Sequence, residues 1–423
     1  MNYQKQEIKE GIEFHKINTD KFKTNLLALF ITTPITKENV TKTAMIPAVL
    51  RRGSKTMKTI EKISIALEEM YGASFDCGVE KIGDNQVIKF YLETLNDTYL
   101  PEQNENILQK SIDTMLEIVF NPYLENNSFK KEYVTSEKEN LIQVIDGKKD
   151  NKAQYALERC IEEMYQDLPY GLYKYGYVED LEKINEENLY TYYQELISQC
   201  KIDLFVSGNI ENENIIEYIK ENENIEKLQS RKAIYIECSE KEKKESEEKE
   251  IQESMNISQG KLVIGMDVKE NEKQTKYVSL LYNAILGGTP TSKLFQNVRE
   301  KESLAYTASS SYSKQKNNIF IRCGIEIDNY QKAIDIIKQQ LEDIKNGNIT
   351  DEEFDSAKTN IIATIKFIPD EQDTQITYYF GQEISEFKMK FDEYEENIRN
   401  ITKQQVIDLA NKIEINTIYF LKN

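Results

Sequence analysis

One order of predicted elements occurs twice along the chain, on either side of a charged run, and this restricts the fold more than any single motif. In the first half, Gly11 to Lys16 and Thr24 to Thr32 predict two antiparallel strands joined by a polar turn. The unbroken apolar run from Leu26 to Ile31 predicts cover on both faces of the second strand. Thr36-Lys37-Glu38-Asn39 then caps a helix with Val40, Ala44, Met45, Ala48 and Val49 inside, stopping at Arg51-Arg52-Gly53. A second helix from Thr59 to Met70 leads through Tyr71-Gly72-Ala73 into a hairpin turning at Gly83-Asp84-Asn85. Residues 105–199 are mostly helical, with breaks near Pro122 and Pro169-Tyr170-Gly171, and Lys201 to Gly208 closes the half as a short strand.

Beyond Ser239 to Glu253, SEKEKKESEEKEIQE, the series restarts. Lys261 to Met266 is a strand, Thr275 to Leu286 and Pro290 to Glu302 are helices, and Leu304-Ala305-Tyr306 leads a hairpin through Lys316-Asn317-Asn318. Helices over 330–346, 351–368 and 403–413 precede a last strand at Thr417 to Leu421. Tyr71-Gly72-Ala73 stands in the first series where Leu304-Ala305-Tyr306 stands in the second. The recurrence predicts an α+β fold made by internal duplication. Each domain is a mostly antiparallel sheet with helices packed on it, over 1–238 and 257–423. The charged run, without apolar period, predicts a linker over 239–256.

Composition limits the chemistry. With 54 Lys and Arg against 73 Asp and Glu, the net charge of -19 argues against nucleic acid or an anionic membrane as partner. Five scattered cysteines, Cys77, Cys160, Cys200, Cys238 and Cys323, suit a reducing compartment rather than a disulfide framework or zinc knuckle. The N-terminus carries no apolar run of signal-peptide length, so the expected location is the cytoplasm. His15 is the only histidine. A two-histidine zinc site is therefore excluded within this chain, a Ser-His-Asp triad or a Cys-His dyad would have to use His15, and His15 itself is expected as a cross-strand or surface residue.

The stretch with most chemical content is Ser292 to Tyr306, SKLFQNVREKESLAY, behind the pair Gly287-Gly288. Leu294, Phe295 and Val298 recur at helical spacing while Lys293, Arg299, Glu300 and Lys301 face away. Arg299 near the helix end and Tyr306 on the following strand are both hydrogen-bond donors suited to a carbonyl or a developing oxyanion. The alternatives are a helix-end cation favoured by the dipole, a half-buried strand aromatic and a glycine pair that ends a helix.

This combination of a Gly-Gly loop, a helix ending in arginine and Leu-Ala-Tyr resembles the second domain of the M16 metallopeptidases, the pitrilysin, insulinase and mitochondrial processing peptidase family. The resemblance extends over most of the chain and implies two duplicated LuxS/MPP-like metallohydrolase domains. The family's first domain carries His-x-x-Glu-His, in which two imidazoles on one helix face bind zinc and the glutamate activates a water. Counted back from Gly53-Ser54, the histidine positions are Ala44 and Ala48 and the glutamate position is Pro47. By the same match Glu137 keeps an upstream supporting carboxylate, and Val144 replaces the third ligand. Pro47 is further expected to bend its helix.

The resemblance thus implies a chain with no metal or catalytic residues of its own, similar to the non-zinc member of paired bacterial M16 sets associated with elongation factor P modification. Gly287, Gly288, Arg299 and Tyr306 are its implied substrate-binding residues. Its implied partner is a zinc-bearing M16 sister subunit acting on a peptide. The alternative is a peptide-binding or scaffold protein of the same fold that cleaves nothing.

Overall fold

The computed structural model describes residues 2–100, 106–166, 168–210, 214–235, 248–270, 272–385 and 387–423. Two compact units emerge from the contacts. The first comprises 1–146, 172–236 and 369–381, and the second 147–171, 237–368 and 382–423. Each unit therefore includes one stretch from the opposite half of the chain.

In the first unit β1 (Asn2–Lys9), β2 (Ile12–Asn18), β3 (Thr24–Pro34), β4 (Ser74–Ile82) and β5 (Asn85–Leu95) are followed by a short pair, β6 (Leu124–Glu125) and β7 (Ser128–Phe129). β8 (Lys201–Gly208) completes a six-stranded sheet of order β1-β2-β8-β3-β5-β4. β3 is buried along both faces, as its apolar run predicts. β2 and β3 are not neighbours, however, because β8 lies between them, parallel to β2 and antiparallel to β3. Local alternation identifies strands but not which of them pair. β1, rich in exposed polar residues, is an edge strand that carried no apolar signal.

Helices Val40–Leu50, Ile107–Phe120 and Glu186–Gln199 contribute Met45, Ile112, Met115 and Leu189 to one core with Leu27, Leu29 and Phe90 of the sheet. The stretch 369–381 packs against this unit too: Phe380 stacks on Phe30 at 4.2 Å between ring centroids and Tyr379 on Tyr3 at 3.9 Å.

The second unit is built on β9 (Lys249–Ser254), β10 (Gly260–Val268), β11 (Ala305–Ser313), β12 (Asn318–Ile325) and β13 (Ile413–Lys422), in the order β11-β12-β10-β13-β9. Read from the other edge, β9-β13-β10-β12-β11 matches β2-β8-β3-β5-β4 strand for strand. The single parallel pair falls at the same place in each, β9 with β13 and β2 with β8. The duplication inferred from element order therefore holds at the level of topology.

This correspondence corrects the expected linker over 239–256. Its residues 239–247 lie outside the described residues, but Lys249–Ser254 is a strand, the counterpart of β2. Its exposed positions, Glu250, Gln252 and Ser254, are polar because it is a sheet edge. Glu253 fastens it, accepting hydrogen bonds from Tyr155 and Tyr419 at 2.6 Å each and from Arg159 at 3.2 Å.

Helix Lys152–Tyr165 belongs to the second unit, where Ala156, Cys160 and Ile161 pack with Val263, Phe320, Tyr419 and Leu421. On the sheet's other side, helices Lys273–Asn283, Tyr330–Lys345 and Lys403–Ala410 close a core with Leu262, Ile264 and Ile321.

Candidate functional site

The helix Val40–Leu50, onto which the resemblance counts the missing metal motif, follows β3 and lies on β4 and β5. It is unbroken through Pro47. The ring nitrogen cannot bond the Thr43 carbonyl, but the Pro47 carbonyl is used twice, by the Arg51 N–H at 3.1 Å and the Cys77 thiol at 3.4 Å. Ala44 and Pro47 are buried in the helix interface, while Ala48 lines a recess of about 370 Å³.

The facing helix, Lys131–Asp146, carries Glu137, which is nearly buried, and Val144, which is 46% exposed. Glu137 accepts a hydrogen bond from Arg52 Nε and another from Asn140 Nδ2 at 3.1 Å. Arg52 also reaches Ser136 Oγ at 3.3 Å. The carboxylate is thus engaged by a guanidinium from the end of the helix. Ala44, Pro47, Ala48 and Val144 bear no side-chain donor for a metal, and Arg51 and Arg52 place positive charge in the same recess. A zinc ion does not fit these residues.

The glycine pair and the Arg/Tyr pair lie in the second unit. Ala284–Gly288 and Leu294–Lys301 are both wound with wide π turns; at the end of the second, the Glu302 N–H reaches back five residues to Asn297 O at 3.3 Å. Such turns are rare and recur at functional sites. Gly287 is buried where a Cβ would lie 2.6 Å from Ser310 N and 2.9 Å from Leu294 Cδ1, so the bare backbone permits close packing on β11. Gly288 is exposed.

Leu294 and Val298 point into the core as their spacing predicts. Lys293, expected to face solvent, is buried instead and ion-paired with Glu353 at 3.0 Å. Arg299 lies over the Phe295 ring, 4.5 Å from its centroid, with Glu300 3.6 Å from its Nε. Tyr306 is 62% exposed and donates to Glu326 Oε1 at 2.8 Å, a bond that raises the phenol pKa. The wide helix packs against β11, and each of the two residues is held by a different neighbour.

His15 is neither on the surface nor isolated. It is fully buried, stacked on Phe205 at 4.0 Å, with Nδ1 2.9 Å from the Tyr3 hydroxyl and Nε2 2.9 Å from Asp203 Oδ1. Its cross-strand partners are Lys5 on β1 and Phe205 on β8. Lys201 Nζ sits 2.7 Å from Asp203 Oδ1 and 3.0 Å from Glu13 Oε2. Burial pushes the Asp203 carboxyl up, but Lys201 and His15 outweigh it and hold the group at about 2. Glu13, His15 and Asp203 are close enough to share a cation, and the Lys201 ammonium already supplies that charge. Alternation on β2 and β8 placed these residues on strands, but only strand pairing brings them together.

Residues 183–361 match the family model described as the peptidase M16 inactive domain. The "Probable inactive metalloprotease YmfF" of Bacillus subtilis (strain 168) is 34% identical over 413 residues, covering 97% of this chain and 96% of that protein. A solved structure of a conserved protein from Enterococcus faecalis V583 superposes with a TM-score of 0.88 at 26% identity, over 100% of this chain and 99% of that one. The peptidase M16 inactive domain from Pseudomonas fluorescens superposes at 0.80 with 16% identity, over 100% and 98%. With a duplicated sheet and a relative 34% identical along nearly its whole length, the chain belongs to the M16 peptidase family, as an inactive, metalloprotease-like member.

Proposed function

We propose that this chain is the noncatalytic subunit of a two-chain M16-type zinc peptidase. It lends Arg299 and Tyr306 to the grip on a peptide whose scissile bond is attacked at the zinc of a sister subunit. The observation that carries this reading is the contrast between the two halves. The resemblance puts the metal positions on Ala44, Pro47, Ala48 and Val144, none of which has a metal-binding side chain, whereas Arg299 and Tyr306 remain partly or largely exposed in the unit that holds the close-packed glycine loop.

In this role the guanidinium and the phenol donate hydrogen bonds to the carbonyl oxygen on which charge develops. The Glu326 carboxylate that now accepts from Tyr306 orients the phenol and is exchanged for the substrate. Gly288 leaves backbone accessible to the peptide, and Gly287 lets the loop pack closely on β11 behind it. Cytoplasmic placement is part of the proposal and rests on the sparse cysteines. No helix among the described residues is long and apolar enough to cross a membrane.

The test is reconstitution with an M16 chain that carries His-x-x-Glu-His, with cleavage of an unfolded peptide followed by mass spectrometry. Neither chain alone should cleave, and the mixture should. Arg299→Ala or Tyr306→Phe should lower kcat of the mixture by about 100-fold or more, comparable to loss of one oxyanion donor. Undiminished cleavage by both variants would remove these residues from the reaction.

A second reading is favoured by one detail: Arg299 on Phe295 and Tyr306 on Glu326 are already satisfied within the chain. A scaffold that holds an unfolded peptide without cleaving it needs neither group free. Co-purification of a peptide client in the absence of any zinc-bearing sister would support that reading.

A further inference from the structure

We propose that the recess lined by Ala48 at the end of the helix Val40–Leu50 is a carboxylate-binding site, with Arg51 as its anchor. The argument starts from charge. Arg52 and Glu137 neutralise each other by direct contact, and the Asn140 amide completes the Glu137 shell. Arg51 lines the same recess, is exposed, and has no side-chain hydrogen bond or ion pair among the described residues. Cys77 adds no charge, since burial pushes its thiol up to about 12. The lining therefore carries one uncompensated positive charge, which matches a monoanion. A phosphate dianion would leave one of its charges unmet.

Space and shape agree with this choice. Ala48 ends at its methyl group, so the volume that a longer side chain would take is part of the recess of about 370 Å³. A guanidinium offers a planar fork that matches the two oxygens of a carboxylate. Ile60, 42% exposed, provides an apolar wall for the side chain beside that carboxylate. The exposed Asp76 opposes the site, but at the Cys77 sulfur the Arg51 charge acts more strongly than either Asp76 or Glu137. The ligand this selects is a peptide carboxylate, supplied by a free C-terminus or by an acidic side chain. The inference does not rest on the paired-subunit reading, because it concerns binding to this chain alone.

Fluorescence anisotropy on the isolated full chain tests it with three N-terminally labelled peptides. These are Ala-Ala-Ala-Leu as free acid, the same peptide as C-terminal amide, and Ala-Ala-Glu-Leu amide. The free acid should bind about tenfold more tightly than the neutral amide, as a charge-assisted bidentate contact allows. Tight binding by the Glu-bearing amide instead would assign the site to acidic side chains. Arg51→Ala should abolish the preference, Arg51→Lys should keep part of it, and Ala48→Phe should block it by filling the recess. Lys55→Ala, an exposed neighbour, should change nothing. Equal binding of all three peptides, retention of the preference in Arg51→Ala, or stronger competition by inorganic phosphate than by acetate would overturn the assignment.

Discussion

Replacing Lys201 by Met tests whether the buried charge cluster of the first sheet is an essential structural element. The ammonium lies 2.7 Å from Asp203 and 3.0 Å from Glu13. With an effective dielectric constant of about 20, each contact is worth roughly 6 kcal/mol of attraction before desolvation. Most of that offsets the burial of the charges, so the net value of the cluster is small. Removing one partner is different, because the carboxylates stay buried and lose their cation, at a typical cost of about 3–5 kcal/mol. Glu13 keeps Lys5 at 2.8 Å and Asp203 keeps His15, which places the expected loss near the lower end, about 3 kcal/mol.

The assay is urea unfolding followed by circular dichroism, at pH 7 and again down to pH 2. In the wild type the Asp203 pKa is depressed to about 2 from its ordinary 3.8. A depressed carboxyl contributes stability that is fully present above about pH 4 and is lost as pH falls through about 2. The shift corresponds to roughly 2 kcal/mol. In Lys201→Met the deficit should narrow in acid, because protonating Asp203 removes the unpaired charge. Adding Asp203→Leu to Lys201→Met should restore part of the stability at pH 7. A single variant within about 0.5 kcal/mol of wild type, the scatter of surface substitutions, would refute the reasoning, as would a deficit that widens in acid.

Three further outcomes follow from packing and burial. Gly287→Ala should cost about 1–3 kcal/mol in urea unfolding through the clash with Ser310 and Leu294, and more than Gly288→Ala, whose nearest neighbour is the flexible Asn283 amide at 3.0 Å. Glu253→Ala should cost about 1–3 kcal/mol, since Tyr155, Tyr419 and Arg159 lose their acceptor, and hydrogen exchange of β9 should rise selectively. At pH 8 in the native chain Cys77, Cys160, Cys200 and Cys323 should label with iodoacetamide far more slowly than in urea, because burial pushes all four thiols up, to about 11 for Cys200 and about 12 for the others.

Much of the fold was legible because helix and strand periodicities are local. The doubled order of elements, the two-sided burial of β3 and the seating of Leu294 and Val298 all follow from spacing alone. What escaped is non-local. β8 enters between β2 and β3, and nothing near Lys201 announces that Asp203 will meet His15 across 188 residues. Helix Lys152–Tyr165 shows an apolar face without indicating that its partners are Val263 and Tyr419. β9 was masked by its charges, although Ile251 turns inward and the topology of the first sheet requires a strand there. The lack of a second histidine was plain from residue identity. The recess at Arg51 was not, since Arg51-Arg52 next to a glycine signals a helix stop before it signals a binding group.

The central claim is that an M16 scaffold has lost its own metal chemistry, and metal analysis of the purified chain tests it most directly. After equilibration with zinc and desalting, elemental analysis should find zinc well below one ion per chain, with no peptide cleaved. One tightly held zinc per chain, together with proteolysis that a chelator abolishes, would contradict the account.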